Sequence, residues 1–278
     1  MQPRSGDETM KRWMKAGLAG ALALAATGTT SEAQALGSGP PPCNCTYTVG
    51  NPYASGDHFY RNLSWFAGST WCGGGGGALA LAIGMDPTNW SGAGFLDCSM
   101  SKPFGRTMNG LTALLTASSN PVSSMLEAPV RPMLDWAGKW VVTQLDHTHA
   151  YCEDADPAPS AAQSLPPNGV NLFLRLGGGN CGLGFFHGFT AVERAATFVH
   201  EVRHYQRPKH AAPAQDFYWG WGGAYEWEAR WLEQYITMGN PATTSKVTRC
   251  LARARLKNVL TKHFVVPASF ILPGVEGC

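Results

Sequence analysis

The sequence predicts an α+β domain, in which a small sheet packs on one functional helix and a helical C-terminal part follows. Three observations carry this. Thr190 to Arg207 (TAVERAATFVHEVRHYQR) places apolar residues at three- and four-residue spacing, the period of a helix with one buried face. Val170 to Leu176 (VNLFLRL) alternates, with Val170, Leu172, Leu174 and Leu176 on one side, as a half-buried strand does. Ala224 to Met238 and Lys246 to Lys262 read as two further helices, the first bounded by Gly222-Gly223 and by Gly239-Asn240-Pro241.

The Thr190 helix has a defined start. Thr190 and Glu193 form a capping box, each side chain serving a backbone N–H that the first turn leaves without a partner, so the helix begins at Ala191. Val192, Ala195, Ala196, Val199 and Val202 form its apolar stripe. Arg203 and Arg207 suit the negative end of the helix dipole, and Pro208 stops the hydrogen-bond ladder.

Within this helix stand His200, Glu201 and His204. A spacing of four leaves the two imidazoles about 40° apart and one turn from each other, within reach of a single tetrahedral ion. Glu201, between them, suits a base that takes a proton from water without occupying the metal. The pattern is that of a hydrolytic zinc site. Two histidines hold zinc poorly, so a third protein ligand is expected elsewhere.

Met1 to Ala35 reads as a secretory signal. Lys11, Arg12 and Lys15 form a positive region, Ala16 to Ala26 is apolar but shorter than the ~20 residues a membrane span needs, and Ala33-Gln34-Ala35 is a small-residue cleavage site. All eight cysteines follow it, an even number in an oxidising setting, which favours disulfides over thiolate metal sites. Removal of the signal leaves no stable membrane insertion. The formal net charge of +2 gives no reason to expect nucleic acid as a partner.

Other stretches carry less chemistry. Gly73 to Gly77 lacks the Gly-Lys-Ser/Thr of a phosphate loop and reads as a flexible lead into Ala78 to Met85. Met133 to Leu145 is a further helix by its spacing of Leu134, Ala137, Val141 and Leu145. His147 and His149 are expected in a solvated turn, and Asp154 to Gly169 in an exposed loop. The Val170 strand, if a sheet edge, offers backbone groups that an extended peptide can pair with. The charged face of Lys246 to Lys262 reads as solvated.

From Thr190 to Met238 the chain resembles the zincin metallopeptidases, and that resemblance implies a two-lobed domain: residues 36–169 as an N-terminal lobe and loops, residues 170–278 as the catalytic lobe. In the gluzincin branch the third ligand is a glutamate on a later helix with a small residue three places on; Glu226-Trp227-Glu228-Ala229 supplies this, with Glu226 preferred and Glu228 a rival. Many such families have an acidic residue next, where this chain has Arg230. In the metzincin branch it is a histidine in the sixth place after the second, where His210 stands, with Met238 available for the Met-turn; Arg207 replaces that branch's usual glycine.

The expectation that results is a secreted zinc metallopeptidase acting on protein or peptide substrates. His200, His204 and Glu226 hold Zn2+, Glu201 is the general base, and Tyr225, ahead of His210 and Tyr205, supplies the oxyanion donor. Arg203 is a candidate for orienting an acidic group behind the ligands. Two alternatives are a zinc-binding module without turnover, using Tyr218 to Trp221 for contacts, and a zinc amidase acting on cell-wall peptide.

Overall fold

A computed structural model describes residues 83–84, 103–118, 133–153, 162–165, 169–175, 184–206, 210, 215–216, 223–266 and 270–278. All fall within the unit Pro40–Cys278. The stretch read as an export signal, the Gly73 to Gly77 run, the Trp-rich stretch and the side chains of the six cysteines other than Cys250 and Cys278 lie outside what is described below.

The described part combines helices with a small sheet. In chain order it contains α1 (Pro103–Thr116), α2 (Met133–Gln144), β1 (His147–Glu153), β2 (Ala162–Leu165), β3 (Gly169–Arg175), α3 (Phe185–Gly188), α4 (Ala191–Gln206), β4 (Gln215–Asp216), α5 (Ala224–Met238), α6 (Lys246–His263) and β5 (Phe264–Val265). Helix α4 lies at the centre, packing against α1, α2, α5, α6 and β2. Its predicted stripe of Val192, Ala195, Ala196, Val199 and Val202 is fully buried. Burial of each larger apolar side chain of this kind contributes about 1.5–3 kcal/mol.

The capping box forms as expected. The Thr190 N–H donates to Glu193 Oε2 at 2.8 Å, and the Glu193 N–H donates to Thr190 Oγ1 at 3.4 Å. Behind it, fully buried Arg194 donates through Nη1 to the carbonyls of Phe186 and Phe189, which fixes the short α3 against the start of α4. Helix α1 is absent from the sequence expectation, because Arg106, Thr107, Asn109 and Thr112 interrupt its apolar pattern. All four are nevertheless buried, together with Phe104, Met108, Leu111 and Leu114. At Gly110 a β-carbon would stand 2.7 Å from the Cβ of Arg194, so glycine lets α1 and α4 approach closely.

The three-stranded sheet has the order β1-β3-β2. β1 runs parallel to β3, from His147 opposite Gly169 to Glu153 opposite Arg175, and β2 runs antiparallel to β3, from Ala162 opposite Leu172 to Leu165 opposite Gly169. Three expectations change here. β3 is the strand read at Val170 to Leu176, but it is central and paired on both sides; among the described residues β1 and β2 are the outer strands, with β2 beside α4. The Asp154 to Gly169 stretch contributes β2 and the first residue of β3, where small and polar residues (Ala162, Gln163, Ser164) give no apolar alternation to read. His147 and His149 belong to β1, since the register with β3 outweighs their local preference for a turn. Gly84 adjoins the start of this strand with φ +66°, and a β-carbon there would fall 1.5 Å from the Asp146 carbonyl oxygen.

Helix α5 begins and ends where its flanking glycines indicate. In α6, Ser245 caps the first turn by accepting from the Thr248 N–H at 3.2 Å, and Cys250 is bonded to Cys278. Among the described residues no helix is long and apolar enough to cross a membrane.

Candidate metal centre

His200 and His204 project from α4 one turn apart, and His210 reaches the same point from beyond the helix end. The Nε2 atoms of His200 and His204 are 3.3 Å apart, and that of His210 is 3.0 Å from each. Donors bound at 2.0–2.1 Å around a tetrahedral ion lie about 3.3–3.4 Å from one another, so the triangle matches a shared ion closely. The three residues can hold a metal ion. Among the described residues no other cluster of His, Cys, Asp or Glu does so.

The imidazole tautomers favour the same use. His200 Nδ1 is 3.1 Å from Glu228 Oε2. An ionised carboxylate only accepts, so Nδ1 carries the proton and Nε2 presents a lone pair to the centre. Partial burial and the adjacent His200 and His263 lower the pKa of His210 to about 4, which leaves its ring neutral and able to ligate at pH 7. His210 is exposed as a residue, but its ring lies against His200, His204 and Tyr225.

Glu226, preferred from the sequence as third ligand, is not in this group. Its carboxylate pairs with Arg230 one turn along α5, at 2.7 Å. Glu228 is not a ligand either; it stands behind His200. Burial opposes its ionisation, yet Arg255 and His200 outweigh that and hold its pKa at about 2. Arg255 Nε and Nη2 both donate to Glu228 Oε1, each at 2.7 Å, while Oε2 faces His200. The buttressing acid is thus two residues beyond Glu226, not at the place where Arg230 stands.

Glu201 is buried beside the triad, and its carboxylate accepts from the Ser164 N–H on β2. Burial raises its pKa, with a smaller contribution from Glu228, against the lowering effects of His200 and of that hydrogen bond. A carboxylate shifted upward is a better proton acceptor than an exposed one.

Tyr225 opens α5 next to the centre. Its ring meets His200 edge-on at 4.5 Å and stacks on His210 at 4.8 Å. Burial and the carboxylates of Glu228 and Glu201 raise its pKa despite Arg255, so the phenol keeps its proton as a donor. His263, at the end of α6, stacks on Tyr225 with ring centres 3.5 Å apart.

The remaining candidates have other partners. Tyr205 donates to the Gly169 carbonyl and ties α4 to β3, which removes it from consideration as an oxyanion donor. Arg203 lies over the Trp227 ring at 3.9 Å, and the task of holding an acid behind the ligands falls to Arg255. Met238 is exposed at the far end of α5, about 20 Å along the helix from Tyr225, so it does not underlie the centre.

Two further residues belong to the site: Arg255, which the sequence reading left on a solvated helix face but which is turned inward onto buried Glu228, and His263, which that reading did not single out. The signal is present in α6: Arg255 stands three residues after buried Ala252 and four before buried Val259, on the face that packs inward. A charge in such a stripe requires a buried partner. Comparison of the chain with known protein families, curated proteins and solved structures gave no match.

Proposed function

We propose that this chain is a zinc-dependent peptidase, with His200, His204 and His210 as ligands and Glu201 as general base. The observation that carries the reading is the convergence of three Nε2 atoms within 3.3 Å, two of them from a helix that also bears a buried glutamate next to the first ligand. All-nitrogen donor sets suit zinc, and the spacing with His210 supports the metzincin-like resemblance over the gluzincin-like one.

Bound there, zinc supplies Lewis acidity and lowers the pKa of water towards about 7. Glu201 takes the proton of the attacking water and returns it to the leaving nitrogen as the amide bond breaks. The Ser164 N–H keeps its carboxylate oriented. Tyr225 donates to the oxygen that gains charge in the tetrahedral transition state. Among the described residues β2 ends the sheet, and it meets Glu201 through Ser164, which supports an extended polypeptide as substrate by strand addition. The export signal and the Cys250–Cys278 disulfide support action outside the cytoplasm.

The test is cleavage of an unfolded protein such as casein by the purified mature chain. The reading requires loss of cleavage with a chelator, recovery with zinc, and loss in Glu201→Gln. Cleavage that survives both treatments would overturn it.

A further inference from the structure

The geometry points to Arg255 as a positioning residue for the metal centre, acting through Glu228 on His200. This rests on the metal reading of the three histidines and adds to it a role for α6, which supplies none of the ligands.

Desolvating a guanidinium is costly unless its donors are used. Arg255 has a side chain only 20% exposed, and it spends Nε and Nη2 on one atom, Glu228 Oε1. The Phe189 ring, 5.3 Å from the guanidinium carbon, lies on its face. Glu228 itself is 1% exposed, so its remaining oxygen has little water to turn to and is aimed at His200 Nδ1. The result is a chain from α6 to α5 to α4: a fork holds one carboxylate oxygen, which leaves the other to select the Nδ1–H form of His200 and to fix its ring plane. Lysine cannot reproduce this, because an ammonium is a point charge without the planar pair of donors. A mere brace between α5 and α6 would need only the ion pair, without the second carboxylate oxygen directed at a ligand.

The experiment measures zinc dissociation constants of the folded chain by competition with a chromophoric chelator. The variants are Arg255→Met, Arg255→Lys, Glu228→Gln and the double variant Glu228→Gln/Arg255→Met, each with a thermal melt of its metal-free form. Loss of a group that orients a metal ligand weakens binding by about 10- to 100-fold. Arg255→Met is expected in that range and Arg255→Lys between it and wild type, while the double variant binds no more weakly than Glu228→Gln alone. Wild-type affinity in Arg255→Met, or losses that multiply in the double variant, would overturn the inference and leave the histidine site standing. Failure of the wild-type chain to bind zinc would overturn both. Should Arg255→Met show no cooperative melt, Arg255→Lys decides, read by nitrogen NMR of the histidine rings: a retained pure Nδ1–H form of His200 counts against the role, and a mixture of tautomers supports it.

Discussion

The carboxylate of Glu201 is held by the backbone N–H of Ser164, although the two residues come from different elements, α4 and β2. On the proposed reading the helix brings the base to the three histidines, and the strand keeps its carboxylate oriented. Glu201→Gln preserves the shape and the hydrogen bond but removes the basic oxygen. Hydrolysis is expected to fall by about 10²- to 10⁴-fold, the usual contribution of a general base. Zinc content, measured by elemental analysis, should stay at the wild-type level.

His210 and Glu226 make opposite predictions for metal binding. His210→Ala removes one of three converging donors, so zinc affinity should drop by orders of magnitude. Glu226→Ala breaks a pair with Arg230 and leaves the triangle intact, and its zinc affinity should stay within a few-fold of wild type. Calorimetric titration of the metal-free proteins compares the two; the reverse order would restore the glutamate as third ligand.

Tyr225→Phe keeps the ring stacked between His210 and His263 and removes only the hydroxyl. Peptide hydrolysis should lose about 10²-fold in kcat with little change in KM, as when one donor to a developing oxyanion is lost. An unchanged kcat would reduce Tyr225 to a packing group.

Glu228 makes the metal-free protein sensitive to acid. Its folded pKa of about 2 lies below the ordinary value of 4.5, so its contribution to stability is complete above pH 4.5 and is lost as pH falls from 4.5 towards 2. Melting temperatures followed through that window should decline more steeply for wild type than for Glu228→Gln. Parallel slopes would show that another group governs the acid limb.

Gly110 tests the packing of the central helix. A methyl at this position meets the Cβ of Arg194 at 2.7 Å, and neither atom can swing away. Overpacking of about 1–3 kcal/mol should exceed the ~1 kcal/mol that alanine gains in helix propensity, so Gly110→Ala melts lower than wild type. Gly274→Ala, with nothing within 4 Å of the added carbon, serves as the neutral control.

Much of the central machinery was legible because it is local. The capping box, the α4 stripe and the His-Glu-x-x-His spacing all lie within one helix, where a fixed period links sequence to geometry. The third ligand was not legible in this way. His210 lies beyond the end of α4, where the helical period no longer ties spacing to geometry, and Glu226 and Glu228 sit two apart on α5, so their roles depend on which carboxylate Arg255 can reach from another helix. β3 showed in its alternation, but its neighbour β2 did not, for a similar reason. β2 has no apolar alternation of its own and is defined by its pairing with β3.

The end of α1 has one more consequence. Its Thr116 carbonyl accepts from the Thr243 hydroxyl at 2.6 Å and the Ala117 carbonyl from the Asn240 N–H at 2.8 Å. The helix that braces α4 is therefore finished by residues more than a hundred positions later, beyond α5. Contacts closed over so long a loop form late and slow the search for the native state. On the ribosome, the emerging chain cannot complete this packing against α1 until the turn after α5 has appeared.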